Sequence, residues 1–148
     1  MDIDVLLNEL FSEIPEMEDL FRISCDLYHV HPSDERGLIW SLGVMDNVVF
    51  LLREGEEYKE LTKRIFSFFE KIATQNDETL LFFLQATVNY LYINTDIQKK
   101  ALQFMGTATR KHWDNYCKFM KDLRLMELAT LYSDEEMDEL GIHYEYLH

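Results

Sequence analysis

The sequence predicts an all-α protein, a single-domain irregular bundle or short stack of six to seven helices. The chain has only five Gly and two Pro in 148 residues. An all-β fold needs more of these turn-forming residues to connect its strands. Its composition is 47% hydrophobic and 14% aromatic. This composition excludes a disordered acidic chain and suffices for one sizeable core. Apolar residues also recur at helical spacing along most of the chain.

The first two helices are bounded by recognisable start signals. A helix over Asp4–Glu13 begins behind an acidic cap and carries apolar residues on one face. Pro15 suits the first turn of a second helix, which is expected to run to about Val30. The segment 31–37 contains Pro, Ser, Asp and Gly and is therefore predicted as a loop.

Three longer helices are predicted in the middle of the chain. The first extends from about Leu38 to Arg53, and Gly55 ends it. The second, over Glu56–Thr74, is the most clearly amphipathic, with apolar residues at Leu61, Ile65, Phe68, Phe69 and Ile72. The third runs from about residue 77 to Ile93 and is apolar nearly all round. We expect this third helix to be the buried centre of the domain.

The next two helices are shorter and less regular. The pattern Thr95-x-x-Gln98 fits a capping box, which predicts a short helix that ends near Gly106. A further helix is expected over Thr109–Leu123.

The chain ends in an acidic helical segment. Ser133-x-x-Glu136 is a second capping box, and it opens a short helix that Gly141 ends. We expect residues 1–148 to form one helical domain, with the acidic segment 133–148 packed on it as a C-terminal helix or tail.

Acidic charge is concentrated at the two ends of the chain. There are 28 acidic and 14 basic residues, for a formal net charge of −14. Residues 1–26 hold eight acids against one base, which gives −7, and residues 133–148 hold six acids and no Lys or Arg, which gives −6. A field of this sign attracts cations or a basic partner and repels nucleic acid.

These two acidic blocks are the predicted partner-binding residues. In the front block the predicted contacts are Glu13, Glu16, Glu18 and Asp19. In the back block they are Asp134, Glu135, Glu136, Asp138 and Glu139, with Tyr144 and Tyr146 as aromatic anchors. The alternative interpretation is that these acids only stabilise helix starts and keep the protein soluble. Their segregation into two blocks favours the binding role.

No pattern in the sequence identifies a reaction, so no catalytic residue, cofactor or metal ligand is predicted. His29 and His31 lie near several acids, but the sequence lacks the usual metal-binding motifs. A metal-dependent enzyme that uses these two histidines is therefore only a third alternative. Cys25 and Cys117 match no zinc or redox spacing and are expected to be buried free thiols in a reducing compartment.

A small-molecule-binding regulator is the main competing function. Its pocket would lie between the helices over 56–74 and 77–93, lined by the aromatic residues Phe66, Phe68, Phe69, Phe82, Phe83, Tyr90 and Tyr92. Aromatic residues at helical spacing are more often simply core. A cavity of several hundred Å³ would favour this alternative.

The sequence contains no sign of secretion, membrane insertion or nucleic-acid binding. The N-terminus lacks the basic and apolar stretches of a signal peptide. The longest apolar run, Leu80–Leu84, is much too short to span a bilayer. Although Arg110–His112 is basic, the neighbouring Trp113 and Tyr116 fall on an apolar helix stripe, which predicts core. We expect a cytoplasmic protein.

The stretch from Glu13 to about Leu123 resembles a family of small, all-helical bacterial proteins. The matching segments are, in chain order, EIPEMEDLF, DNVVFLL, IFSFFEKIA, NDETLLFFLQATVNYL and TRKHWDNY. That family is similar to the immunity proteins of bacterial toxin systems, including contact-dependent growth inhibition. The resemblance implies a protein that binds a toxin domain, commonly a basic nuclease, and covers its active site without catalysis. We therefore expect an immunity or antitoxin-like protein.

Overall fold

The computed structural model describes residues 2–141. Within this range the chain forms helices and turns and no strand, so the all-α prediction is confirmed. The structure divides into two compact units, with the boundary between His112 and Trp113. The predicted packing of segment 133–148 on the rest of the chain stays a prediction. Within the described range, no helix combines the length and the apolar character needed to span a membrane.

The first two helices form where the sequence predicts them. Helix α1 spans Ile3–Glu13, and the Asp2 side chain caps it by accepting a hydrogen bond from the Val5 N–H at 3.0 Å. Helix α2 spans Glu16–Leu27 and follows Pro15 directly. The two helices pack against each other and bury one apolar face each, including Leu6, Leu10 and Met17.

Helix α2 ends about three residues earlier than predicted because His29 reverses the backbone. His29 has a φ of 55°, in the left-handed region. The Val30 N–H donates to the Cys25 carbonyl at 2.8 Å, and the His29 N–H donates to the Asp26 carbonyl at 3.4 Å. These two bonds are those of a Schellman motif, a position where glycine is the usual residue.

The predicted third helix is present, but part of it is wound differently. Helix α3 (Arg36–Ile39), a π-helical segment (Trp40–Met45) and helix α4 (Asp46–Glu54) follow one another without a break. Gly55, with a φ of 78°, ends the run as predicted. The π-helical segment was not predicted, since no local sequence signal for it was recognised.

The π-helical segment lies at a close approach to α2. A Cβ atom on Gly43 would lie 2.3 Å from Cε2 of Phe21, so any larger residue would displace the Phe21 ring. The Asn47 side chain bridges the two elements, since its Nδ2 donates to the Leu20 carbonyl at 3.1 Å and to the Gly43 carbonyl at 2.8 Å.

Helices α5 (Lys59–Thr74) and α6 (Glu78–Ile93) pack against each other and form much of the core. A short 3₁₀ turn, Gly55–Tyr58, precedes α5. The prediction that α6 forms the buried centre of the domain holds for one face of the helix only. One face is buried, with Leu80, Phe83, Leu84, Thr87, Val88 and Leu91, but Leu81 and Ile93 are exposed on the other. An apolar composition does not by itself specify that neighbours cover both faces.

The segment after α6 differs from the predicted capping box. A 3₁₀ turn, Thr95–Ile97, leads into helix α7, Gln98–Phe104. The capping box is absent because Thr95 lies inside the 3₁₀ turn, and Ile97, which makes no side-chain cap hydrogen bond, is the N-cap of α7. Gln98 is the first residue of α7, and its Nε2 donates to the Tyr92 carbonyl at 2.8 Å. The predicted end near Gly106 agrees with the observed end of α7.

The last two helices are α8 (Thr107–Leu131) and α9 (Asp134–Glu139). Helix α8 is longer than the predicted Thr109–Leu123, and the boundary between the two units falls within it. The second capping box is confirmed. The Glu136 N–H donates to Ser133 Oγ, and the Ser133 N–H donates to Glu136 Oε1, both at 3.2 Å.

Candidate functional site

A cavity of about 420 Å³ lies between α1, α2 and the loop that follows α2. All of its lining residues belong to the first unit. They are Asp4, Leu7 and Phe11 from α1, Glu18, Phe21, Arg22, Cys25 and Asp26 from α2, Val30, His31 and Pro32 from the loop, and Ile39 from α3. Its volume is within the range of small-ligand sites.

The cavity has an apolar floor and an acidic rim. Leu7 and Ile39 are buried, and the rings of Phe11 and Phe21 are half-buried with their centroids 5.3 Å apart. The charged lining residues are all exposed, and they comprise the acids Asp4, Glu18 and Asp26 and one base, Arg22. Such a site suits a ligand that is apolar along its length and positively charged at one end.

The charge of the one basic lining residue is partly offset. Arg22 Nη2 lies 3.0 Å from Oδ1 of Asp19, one helical turn away, in an exposed ion pair. In contrast, Asp4, Glu18 and Asp26 form no salt bridge with any residue in the described range 2–141. These three carboxylates are therefore available to a ligand.

Cys25 lines the cavity as a half-buried free thiol. Burial raises the pKa of this thiol above its ordinary value, and the negative charge of Asp26 raises it further. The protonated thiol is a poor nucleophile, so the environment of Cys25 does not favour covalent chemistry. Cys117, in the second unit, is likewise half-buried rather than fully buried.

Two predicted front-block residues are engaged in ion pairs that hold the first unit together. Glu13 accepts from Lys71 Nζ, and Glu16 accepts from both Nη atoms of Arg64 on α5. The Arg64 guanidinium hydrogen-bonded to Glu16 lowers the pKa of that carboxyl. These carboxylates connect the end of α1 and the start of α2 to α5, so their negative charge is largely neutralised by Lys71 and Arg64.

The other two front-block residues lie on the exposed face of α2. Asp19 pairs with Arg22, whereas Glu18 faces the cavity without an ion pair in the described part of the chain. This face also carries two strongly exposed aliphatic side chains, Ile23 at 64% and Leu27 at 68% of full exposure. Aliphatic residues surrounded by exposed acids are an arrangement found at protein–protein contacts.

The predicted back-block residues of α9 are all exposed. These are Asp134, Glu135, Glu136, Asp138 and Glu139. Only Met137 of this helix is fully buried, and Glu136 is used in the capping box. Tyr144 and Tyr146 lie outside the described residues. The two acidic blocks belong to different units.

The aromatic residues assigned to a pocket between α5 and α6 lie mainly in the core. Phe66, Phe68, Phe69 and Phe83 are at most 2% exposed. Phe66 contacts Phe69 with ring centroids 5.3 Å apart, and Phe83 contacts Trp40 at 5.4 Å. Trp113 and Tyr116 of the second unit are also buried, as their apolar stripe predicts.

A second cavity, of about 330 Å³, has the opposite charge character. It is lined by Leu51, Leu52, Gly55, Glu56, Lys59, Thr62, Lys100, Gln103 and Phe104. Two lysines, Lys59 and Lys100, line this cavity. Lys100 Nζ donates to the Leu52 carbonyl at 3.2 Å, so this lysine is already engaged in a contact within the protein. The acidic cavity between α1 and α2 therefore differs from this one in the ligands that it can attract.

The two histidines considered as metal ligands, His29 and His31, take part in the backbone structure that follows α2. His29 occupies the left-handed position after α2, and the His31 N–H donates to Oδ2 of Asp34 at 2.7 Å. Among residues 2–141, the structure contains no group of three or more His, Cys, Asp or Glu side chains that could hold a metal ion.

The sequence analysis missed Asp4, Asp26, Phe11 and Phe21 as members of a site. Asp4 and Asp26 were counted in the front acidic block but were not selected as contacts. The available signal was their helical spacing, because Glu18, Arg22, Cys25 and Asp26 fall on one side of α2 at i, i+4, i+7 and i+8. That Asp4 and Phe11 of α1 lie opposite these residues became visible only in the tertiary structure.

Comparison with protein families, curated proteins and solved structures finds no match to this chain.

Proposed function

We propose that this protein binds a basic protein partner through its acidic surfaces and inhibits that partner by covering its active site. In this proposal it acts as a cytoplasmic immunity or antitoxin-like protein, and the partner is a toxin domain, with a nuclease as the leading candidate. The inhibition is stoichiometric and involves no chemistry. The nuclease candidate rests on the resemblance of the sequence, since a nuclease active site is basic and binds phosphates.

The exposed face of α2 is the observation that carries this proposal. Ile23 and Leu27 project into solvent, and the exposed acids Asp19 and Asp26 lie next to Ile23 on the helix surface, at i−4 and i+3. The aliphatic pair supplies apolar contact area, and the acids exclude partners of like charge.

The net charge of −14 supports fast and selective association with such a partner. An electrostatic field of one sign raises the rate of encounter with a protein of the opposite sign, and salt screens this effect. The exposed acids of α9 add to the field. Rim charges of this kind contribute to the association rate more than to the lifetime of the complex.

The experiment begins with capture of partners on the immobilised protein, with washes at low and moderate salt, from lysate and culture medium of the organism that makes it. A supporting partner must be basic, bind with one-to-one stoichiometry and be released by salt. It must also lose its own activity, such as nuclease activity, when one equivalent of this protein is added. A partner that keeps full activity in the saturated complex contradicts the proposed inhibition.

Matched charge reversals then locate the binding surface. We expect Glu18→Lys and the double substitution Glu135→Lys/Asp138→Lys each to slow association by about two- to fivefold and to weaken its salt dependence. Glu57→Lys is the control, because Glu57 is exposed on the 3₁₀ turn before α5, outside the acidic blocks. Equal effects of all three substitutions would show that only net charge matters and that no acidic block is the docking surface.

A small-molecule-binding regulator remains the second candidate, and the cavity between α1 and α2 is the observation that favours it. The cavity volume of about 420 Å³ is large enough for a small ligand, although its position differs from the predicted pocket. A metabolite that raises the melting temperature, and loses this effect when Cys25→Phe fills the cavity, would support the second candidate over the first.

A further inference from the structure

We propose that the cavity between α1 and α2 receives an arginine or lysine side chain of the basic protein partner. This inference rests on the proposed function and adds the chemistry of the contact. The apolar floor would pack against the methylene stem of the incoming side chain, and the acidic rim would pair with its cationic head.

The floor of the cavity fits an aliphatic stem. Leu7 and Ile39 close its base, and the half-buried rings of Phe11 and Phe21 form an aromatic wall. Arginine and lysine bury three or four methylene groups along apolar surfaces while the charged end stays in a polar environment. Aromatic faces also attract cations within about 6 Å of the ring centroid.

The rim of the cavity fits a cationic head. Three carboxylates, those of Asp4, Glu18 and Asp26, line it and lack intramolecular salt bridges within residues 2–141. The one cation in the lining, Arg22, is paired with Asp19. An anionic ligand would therefore meet uncompensated negative charge, whereas an alkylguanidinium or alkylammonium group would gain ion pairs.

The position of the cavity also fits a docking role. Glu18 and Asp26 line the cavity on one side of α2, and Ile23 and Leu27 lie exposed further around the same helix. A partner surface that contacts this side of α2 could cover Ile23, three positions before Asp26, and insert one basic side chain into the cavity in the same contact. A buried central anchor with an apolar neighbour is the usual form of an interface hot spot.

Cys25 provides a direct measure of cavity occupancy, because its thiol lines the site. The first probe is n-butylguanidinium, with n-butanol and butyrate as length-matched neutral and anionic controls. We expect n-butylguanidinium to slow the alkylation of Cys25 by N-ethylmaleimide, measured by mass spectrometry, and the two controls to have much less effect. Cys117, in the second unit, is the internal reference, and its alkylation rate should not change.

Carboxylate substitutions test the role of the rim. Glu18→Gln and Asp26→Asn should each raise the concentration of n-butylguanidinium needed for half-protection by about two- to fivefold. Glu57→Gln, the same chemical change at an exposed residue outside the cavity, should leave that concentration unchanged. Equal protection by butanol and n-butylguanidinium, or no response to the rim substitutions, would overturn the proposed cation site.

The partner complex separates this inference from the proposed function. Once a basic partner is found, Cys25 should be protected in the complex, and Cys25→Phe should weaken binding at least tenfold while circular dichroism shows retained helical content. A salt-sensitive, inhibitory complex in which Cys25 reacts as fast as in the free protein would overturn the cavity inference and leave the proposed function standing. If n-butylguanidinium protects Cys25 from alkylation but no basic protein partner is found, a protein side chain is not the occupant. The cavity is then a site for small organic cations.

Discussion

Glu70 on α5 holds the start of α8, and its removal should destabilise the first unit measurably. Its carboxylate accepts hydrogen bonds from the Ala108 N–H at 2.7 Å, the Thr109 N–H at 3.0 Å and the Thr109 hydroxyl at 2.7 Å. Gly106 allows this approach, because a Cβ there would lie 2.4 Å from Oε2 of Glu70. The carboxylate thus caps the N-terminus of α8 from another helix.

The expected cost follows from the number and type of these bonds. Loss of a helix cap costs about 1 kcal/mol and up to about 2 kcal/mol, and hydrogen bonds to charged groups contribute about 1.5–3 kcal/mol each without being additive. We therefore expect Glu70→Ala to lower the free energy of unfolding by about 2 kcal/mol. With a urea m-value of about 2 kcal/mol/M, the unfolding midpoint falls by about 1 M.

The effect should also depend on pH in a defined direction. Burial alone would raise the pKa of Glu70, but the hydrogen bonds from Thr109 and Ala108, together with His112, outweigh it and lower the pKa below the ordinary 4.5. A lowered pKa in the folded state means that the stabilisation by the charged form is complete above pH 4.5 and is lost as the pH falls through the folded-state value. The difference between the wild type and Glu70→Gln should therefore be largest near pH 7 and shrink in acid.

The assay is urea unfolding followed by circular dichroism at pH values between 7 and 3. Glu60→Gln is the matched control, since Glu60 lies on the same helix with its side chain 84% exposed and paired with the exposed Lys63. We expect this control to stay within about 0.5 kcal/mol of the wild type. A Glu70→Ala midpoint equal to that of the wild type at pH 7, or a Glu70→Gln difference that is unchanged in acid, would refute the capping argument.

Three further predictions concern other parts of the first unit. His29→Gly should stabilise the protein by about 0.5–1 kcal/mol, measured by urea unfolding, because glycine adopts the left-handed φ of 55° without strain; a loss of stability would contradict this. Thr87→Val should cost about 1–3 kcal/mol in the same assay, because the buried Trp40 Nε1–H then loses its acceptor at 2.9 Å; an unchanged midpoint would show that the indole finds another partner. Burial, together with the charge and hydrogen bond of Asp46, raises the pKa of Tyr90 to about 12, so Asp46→Asn should lower it, as followed by the ring resonances of Tyr90 in NMR; an unchanged titration of these resonances would exclude Asp46 as a cause.

Helix starts and stops were predictable where the signal is local. The Asp2 cap, the Ser133–Glu136 capping box and the glycine at position 55 each act within about four residues of the chain. The capping box proposed at Thr95 failed because the chain forms a 3₁₀ turn over Thr95–Ile97, so that α7 begins at Gln98 behind Ile97. The Thr-x-x-Gln pattern does not distinguish a helix that begins directly from one that a 3₁₀ turn precedes.

The candidate site was only partly accessible from the sequence. Glu18 is exposed and lines the cavity, whereas Glu13 and Glu16 are paired with Lys71 and Arg64. These partners lie 58 and 48 positions away along the chain. Spacing within one helix carries no information about a cation on another helix, so the free and the paired acids looked alike.

The sequence by itself determined the helical class, most helix boundaries and the concentration of acidic charge at the two ends. These properties follow from composition, from apolar periodicity and from contacts within one turn of a helix. Only the tertiary structure decided which acids remain free, which aromatic rings are core, and where α1 and α2 leave a cavity lined by Phe11, Phe21 and Glu18. The physical reason is that a cavity and an ion pair between helices depend on distances between segments far apart in the chain, and those distances are set by how all the helices pack together.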